Sequence, residues 1–467
     1  MTVNRATSIT LVAVLAILFL IGATLIGLNS GPLAVAYTGM CCPLSIIIIK
    51  EGMRHDQFAH PLQLAVPLLL YELVIAPVSM VYLHSLFPEW LGNNVHAYEY
   101  LSDAMILTSL GLSAILLGNF VAESTMFQFT GSTQRYRIHE SCTSRLGIII
   151  ALLLSASVIA SILTLVLVYG GYNSENFTDK FNERRVLSAG TGYISLLASC
   201  GDIAVILLAC ETKTDMGWGG RAGLWVAALV AGVPYLLAGQ RGGFIYCLLF
   251  IPLTRYSMPR AHHGMLTLLP CLCVPLVVMD LVSTECRAAV AEGRSPFVGM
   301  PEYDVLKVSR SFAHLELLGV VVELKESGAD LPDTVISSLF NWLPRLLFAQ
   351  KGLSTGPTLA VMLAPEWVNK EGLHTSSYTT GPFVECYYNG GVILLVLGSF
   401  VFGFAVGTLA NWHRNRVGSV IDTCVFVYEA YLLCWDIWVD DFGGLAVKQF
   451  MFLCILVGIW IVMPKRR

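Results

Sequence analysis

Charge is scarce in this chain. Of its 467 residues, 13% are charged and 55% hydrophobic, and the mean hydropathy is +0.69, against about 25% charged for a soluble domain. That shortage excludes an ordinary soluble protein. Long polar stretches are rare too, and several apolar runs reach the roughly 20 residues a bilayer-crossing helix needs. Also missing are a D-x-D pair, a P-loop and any cysteine spacing that suits zinc. The thirteen cysteines are scattered and mostly sit within apolar runs, where free cysteine acts as a small hydrophobe. Cys286 and Cys386 flank the one long polar segment, and would be free to form a disulfide if that segment lies outside the cell. No internal repeat is visible, which argues against a carrier built from two related halves. Nothing in the chain suggests nucleic-acid binding: the net charge is −4 and no basic run stands out.

What is present is a series of spans. Apolar runs at 9–28, 32–49, 62–84, 104–122, 146–169, 188–209, 222–238, 243–257, 264–283, 390–410, 419–437 and 446–463 give about twelve. The first run is too long for a signal-peptide core and reads as a retained span. The reading is an all-α polytopic membrane protein in three parts. These are a bundle over 1–283, a large loop over 284–388 with amphipathic helices, and further spans over 389–467.

Sidedness follows from lysine and arginine in the short loops. With Arg5 inside, the inner loops carry Lys50, Arg54, Arg135, Arg137, Arg145, Lys213, Arg221, Arg255, Arg260, Arg414 and Arg416, and the tail carries Lys465, Arg466 and Arg467. The connections 29–31, 85–103 and 438–445 carry neither residue. Both termini are expected in the cytoplasm, with the large loop outside.

Two outer connections break that rule. One is 170–187, with Lys180, Arg184 and Arg185; the other is the turn holding Arg241 in "YLLAGQRGGFIY". One helix over 222–257 would overshoot the hydrocarbon core, so the chain is expected to reverse near Gly239–Gly243. Glycine permits such a turn. A guanidinium in a half-dry cavity there favours a phosphate or carboxylate, held by two parallel hydrogen bonds.

Within the large loop, the pattern from Asp304 to Lys325 suits a helix with Val305, Val308, Phe312, Leu315 and Leu318 on its apolar face. On it Arg310 and His314 share a side, and Glu316 lies on another. The stretch "TVISSLFNWLPRLLFAQKG" is amphipathic and suits the membrane surface. The return to the bilayer is dense in hydroxyls: His374, Ser376, Ser377, Tyr378, Thr379 and Thr380, then Glu385, Tyr387 and Tyr388. Acidic residues also fall inside spans: Glu72, Asp202, and a seven-residue series Asp422, Glu429, Asp436. Such groups suit either a proton path or pairing with another helix.

This order of features resembles the O-antigen polymerase (Wzy) family of oligosaccharide repeat-unit polymerases. Three pieces carry the resemblance: "FNERRVLSAG", "AGQRGGFIYCLL" with its Gly-x-Arg-Gly pattern, and the late "HTSSYTTGPFVECYYNGGVILLVLGSFVFG". O-antigen ligases share much of the layout. The resemblance implies a GT-C-like glycosyltransferase of the bacterial inner membrane that needs no metal or other cofactor. Its site would face the periplasm. Its substrates would be undecaprenyl-diphosphate-linked oligosaccharides, and a chain-length regulator would be a possible partner beside membrane lipids. It assigns diphosphate binding to Arg241, Arg184, Arg185 and the looser match Arg310. Candidates for the catalytic base are His374, His314 and Glu316, and candidates for glycan contact are Tyr378, Glu385 and Tyr388. The alternatives are a ligase-type transferase and a proton-coupled transporter or flippase.

Overall fold

A computed structural model describes residues 19–28, 30–52, 60–70, 99–126, 143–170, 192–212, 218–237, 241–257, 314–341, 352–365, 378–415 and 420–462, with a few isolated positions between them. Among these, every regular element is a helix. Residues 19–27 are helical and precede α1 (Gly31–Gly52) and α2 (Leu62–Leu70). There follow α3 (Leu101–Met126), α4 (Thr143–Leu163, continued by a π turn Thr164–Val168), α5 (Gly192–Glu211), α6 (Trp218–Leu237) and α7 (Arg241–Ser257). The polar segment supplies α8 (His314–Glu326), α9 (Val335–Leu339) and α10 (Thr355–Leu363). Last come α11 (Gly381–Asn415), α12 (Val420–Tyr431) and α13 (Phe442–Val462). A π turn, Leu432–Asp436, and a short helix, Ile437–Val439, carry α12 on to Asp440.

Seven of the described helices are long and apolar enough to cross a membrane. They correspond to the expected spans beginning at 32, 104, 146, 188, 222, 390 and 446. The expected spans at 243–257 and 419–437 are helical but shorter or broken, while 264–283 lies outside the described residues. Many of their large side chains face outward, as lipid contact requires: Leu152, Val401, Leu453 and Ile461 are all exposed. Prolines 43, 234 and 252 sit inside helices, which neighbouring helices in a bundle make tolerable.

The tightest pairing is α3 with α11. A Cβ at Gly118 would strike the Phe400 carbonyl, and one at Gly403 would strike the Ile115 carbonyl. The two backbones touch because these residues have no side chain, the usual way apolar helices gain packing in lipid. Asn411 Nδ2 donates to the Ala122 carbonyl at 3.1 Å across the same seam. α4 to α7 form a second group around α5, and α12 packs on α5 and α7.

The expected reversal near residue 240 is present: α6 ends at Leu237 and α7 begins at Arg241. Gly243 lies against Tyr235, and Gly232 against Phe244, so the two helices run back to back. The span expected to begin at 390 follows a short helix that starts at Gly381; the two join at Gly390–Gly391, where the backbone is not helical and Gly391 has φ +61°. The sequence boundary at "YYNGG" therefore falls where one helix ends and the next begins, as expected, but the stretch from Gly381 up to it is helix and not loop. Glu385, Tyr387 and Tyr388 are helical residues before that break.

Candidate functional site

Antiparallel aromatic contacts fix which helix ends lie together. Tyr246 of α7 packs on Tyr431 and Trp435, with ring centroids 4.6 and 6.4 Å apart, and Phe250 packs on Tyr428 and Tyr431. The first residue of α7, Arg241, thus lies toward the end where α12 finishes and α13 begins. Glu385 accepts a bond from the Phe442 amide at 3.1 Å, which brings the start of α11 to that end as well. His314, at the start of α8, lies against Gly381. The helices of the polar segment therefore gather where α7, α11 and α13 start.

Glu385 is the centre of the first polar cluster. It is completely buried. Its Oε2 accepts the Thr355 hydroxyl at 2.5 Å, and its Oε1 accepts Thr380 at 3.0 Å and the Phe442 amide. Thr355 Oγ1 lies 2.6 Å from Thr334 Oγ1, which donates to Asn389 Oδ1 at 2.8 Å. Asn389 Nδ2 closes the ring on the Glu385 carbonyl at 2.9 Å. A buried carboxylate is tolerable only with such a set of donors. Here the donors come from α10, from the approach to α11 and from α13. Beside it, Asp441 accepts Ser354 Oγ, and the Gly444 amide at 2.7 Å. Burial first, and then the neighbouring Asp440 carboxylate, push Asp441 up to about 6.

The second cluster is ionic. Lys448 of α13 places Nζ 2.7 and 2.8 Å from the two oxygens of Asp436 and 2.9 Å from Asp440 Oδ2. Tyr431 donates to Asp436 Oδ1 at 2.9 Å. Lys448 was not among the sequence candidates. A lone lysine in "GGLAVKQFMFL" was the available signal, since a charge inside a span defaults to function. Asp202 accepts Tyr235 Oη at 2.5 Å and the Cys247 thiol at 3.0 Å. Glu429 is bonded by Gln449 Nε2 at 2.7 Å. For both Glu429 and Asp436 the structure gives pairing with α13.

The sequence-derived candidates fall out as follows. Arg241 heads α7. Arg184, Arg185, Arg310, His374 and Glu72 lie outside the described residues, as do residues 304–313 of the expected loop helix. His314 and Glu316 both start α8 and are both buried, with 5% and 7% of their surface exposed. No hydrogen bond or ion pair from the described residues reaches the Glu316 carboxyl, and burial pushes it up to about 8. Tyr378 and Tyr388 are buried, and the Tyr388 hydroxyl has no partner among the described residues. Tyr378, Glu385 and Tyr388 are thus packed inside and do not line an open face. Cys386 is a buried thiol among the described residues, and its possible partner Cys286 lies outside them. Among the described residues no group of histidine, cysteine and carboxylate side chains has the arrangement of a metal site.

Comparison with protein-family models, curated proteins and solved structures finds no match to this chain.

Proposed function

We propose that the protein polymerises undecaprenyl-diphosphate-linked oligosaccharide repeat units on the periplasmic face of the inner membrane. One observation carries the reading most: Arg241 is the first residue of α7, at the end of the bundle where the polar-segment helices and both polar clusters gather. A helix start offers free amides and the positive end of its dipole. An arginine on it adds a fixed cation. Together they suit a diphosphate, whose charge grows as the sugar–phosphate bond breaks.

In this reading Arg241 holds the diphosphate, assisted by Arg184, Arg185 or Arg310. The acceptor hydroxyl attacks the anomeric carbon, the diphosphate leaves with the electron pair, and a side chain takes the hydroxyl proton. The resemblance to the Wzy family supports the same substrate and layout. The buried pairing of Asp436 with Lys448 weighs against the transporter reading, since that carboxylate already has its cation.

A gel of cell-surface and lipid-linked glycans from a strain lacking the gene tests this. The expected result is glycan capped with a single repeat unit and no ladder. Polymer accumulating on the lipid carrier would instead indicate a ligase, and an unaltered ladder would contradict both.

A further inference from the structure

A single exposed leucine is ordinary on any protein surface. A helical turn with its polar side inward and its apolar side outward is not, and α9 is such a turn. Ser338 is 2% exposed, whereas Ile336 and Leu339 are 56% and 59% exposed. Those two residues are three apart and so share one side of the helix. The Phe340 amide bonds back to the Ile336 carbonyl at 3.0 Å, which carries the same side on to the exposed Phe340. The Ser338 hydroxyl, on the inward side, has no hydrogen-bond partner among the described residues. A helix at a water-facing surface does the opposite: its apolar stripe faces the protein and its hydroxyls face solvent.

The position of α9 says what lies outside it. Its inward side is fastened to the cluster around Glu385. Thr334, one residue before the helix, donates to Asn389 Oδ1 at 2.8 Å and lies 2.6 Å from Thr355 Oγ1. α9 also packs on α13. A Cβ at Gly443 would come within 2.8 Å of Asn341 Nδ2, so the chain just past α9 touches the second residue of the apolar helix Phe442–Ile461. α9 is therefore level with the first turn of a membrane-crossing helix. From Phe442 to Gln449 no residue of α13 is exposed; its outward side chains begin at Phe450. At the level of those covered turns, the outer side of α9 continues the apolar surface that α13 shows farther down. Charge narrows the choice of lipid contact. From 327 to 341 the charged residues are Asp330 and Asp333, both exposed and both acidic. Such a face gains nothing from anionic headgroups, which leaves the acyl chains.

We propose that α9 is an interfacial helix, with Ile336 and Leu339 set into the acyl-chain boundary of the leaflet on the side where α11 and α13 start. An amphipathic helix settles at that depth, lying in the plane of the membrane. Through Thr334 the inserted turn is bonded to the Glu385 cluster, so lipid contact sets the height of the polar segment over the bilayer. The longer stretch that the sequence suits to the membrane surface is thereby narrowed to one side of one helix. This contact does not depend on the polymerase reading.

The test places the photoreactive residue p-benzoylphenylalanine at Leu339 in the full-length protein, reconstituted in phosphatidylcholine vesicles. Irradiation should give protein carrying one phosphatidylcholine, resolved by mass, at a yield comparable to that from the same residue at Leu453, which faces outward on α13. The same substitution at Ile336 should behave alike, so a single misfolded variant does not decide the result. Adding phosphatidylglycerol to the vesicles should leave both yields unchanged. No lipid adduct at either position, while Leu453 labels, would overturn the proposal. So would a crosslink between two copies of the protein in place of the lipid adduct, or an adduct that forms only with phosphatidylglycerol present.

Discussion

Thr355 donates its hydroxyl to Glu385 Oε2 at 2.5 Å, and this bond joins a helix of the polar segment to the long kinked helix α11. Both residues are fully buried. The segment between α7 and α11 is therefore not a loose loop over its described length. Its helices are fastened to the bundle through a carboxylate that has no water to fall back on.

That fastening should be measurable. Thr355→Val leaves Glu385 short of a donor and should cost about 1–3 kcal/mol, read as a lower melting temperature in detergent. Adding Glu385→Gln should cost less than the sum of the two single changes, since both act on one bond. Strict additivity would mean that the bond is not made.

Lys448 is the cation of the ionic cluster. Lys448→Met strands Asp436 in an apolar setting and should destabilise by about 3–5 kcal/mol. Replacing Asp436 by Asn in the same protein should recover most of the loss. Thermal melts of the three variants check this, and a double variant no better than Lys448→Met contradicts the pairing.

Glu316 gives a pH signature. Its folded pKa, about 8, is raised above that of an unfolded glutamate. The folded state thus holds the extra proton between those values, and stability falls as pH rises through that window. Glu316→Gln cannot lose a proton, so its melting temperature should fall less with pH, by about 1–3 °C across the window. Parallel curves for the two proteins would remove the buried carboxyl from the account.

Sidedness can be read with one label. Ser327 sits in the exposed turn after α8. Ser327→Cys should react with a membrane-impermeant maleimide in intact spheroplasts. Reaction only after lysis would invert the topology inferred from the lysine and arginine bias.

Much of the helical frame was legible in the sequence because lipid imposes a simple rule: apolar runs of sufficient length, broken by charge. The reversal before Arg241 was legible for the same reason, since 36 apolar residues do not fit one span. The glycine pair Gly390–Gly391 marks a real break, but the helix before it, from Gly381, was not legible, because a stretch dense in hydroxyl and aromatic residues suits a loop and a buried helix equally well. The acidic residues drew notice singly, but their partners lie far along the chain: Asp436 meets a lysine twelve positions on, and Glu385 meets Thr355 thirty positions back. Spacing carries no trace of such contacts. Lys448 is a single charge in an apolar run, and nothing in its spacing shows that it sits between Asp436 and Asp440.

Arg241 offers a direct check on diphosphate binding. Arg241→Ala should abolish chain extension with the protein level in the membrane unchanged. Arg241→Lys should recover little, because an ammonium cannot grip two oxygens in parallel. Full extension by either variant would contradict the clamp.

The central claim, that this chain joins lipid-linked repeat units, is tested most directly by supplying the purified protein in liposomes with undecaprenyl-diphosphate-linked single units and resolving the products on a gel. The account predicts a ladder of lipid-linked oligomers that grows with time and is absent with Arg241→Ala. Single units unchanged after prolonged incubation with folded protein would contradict it.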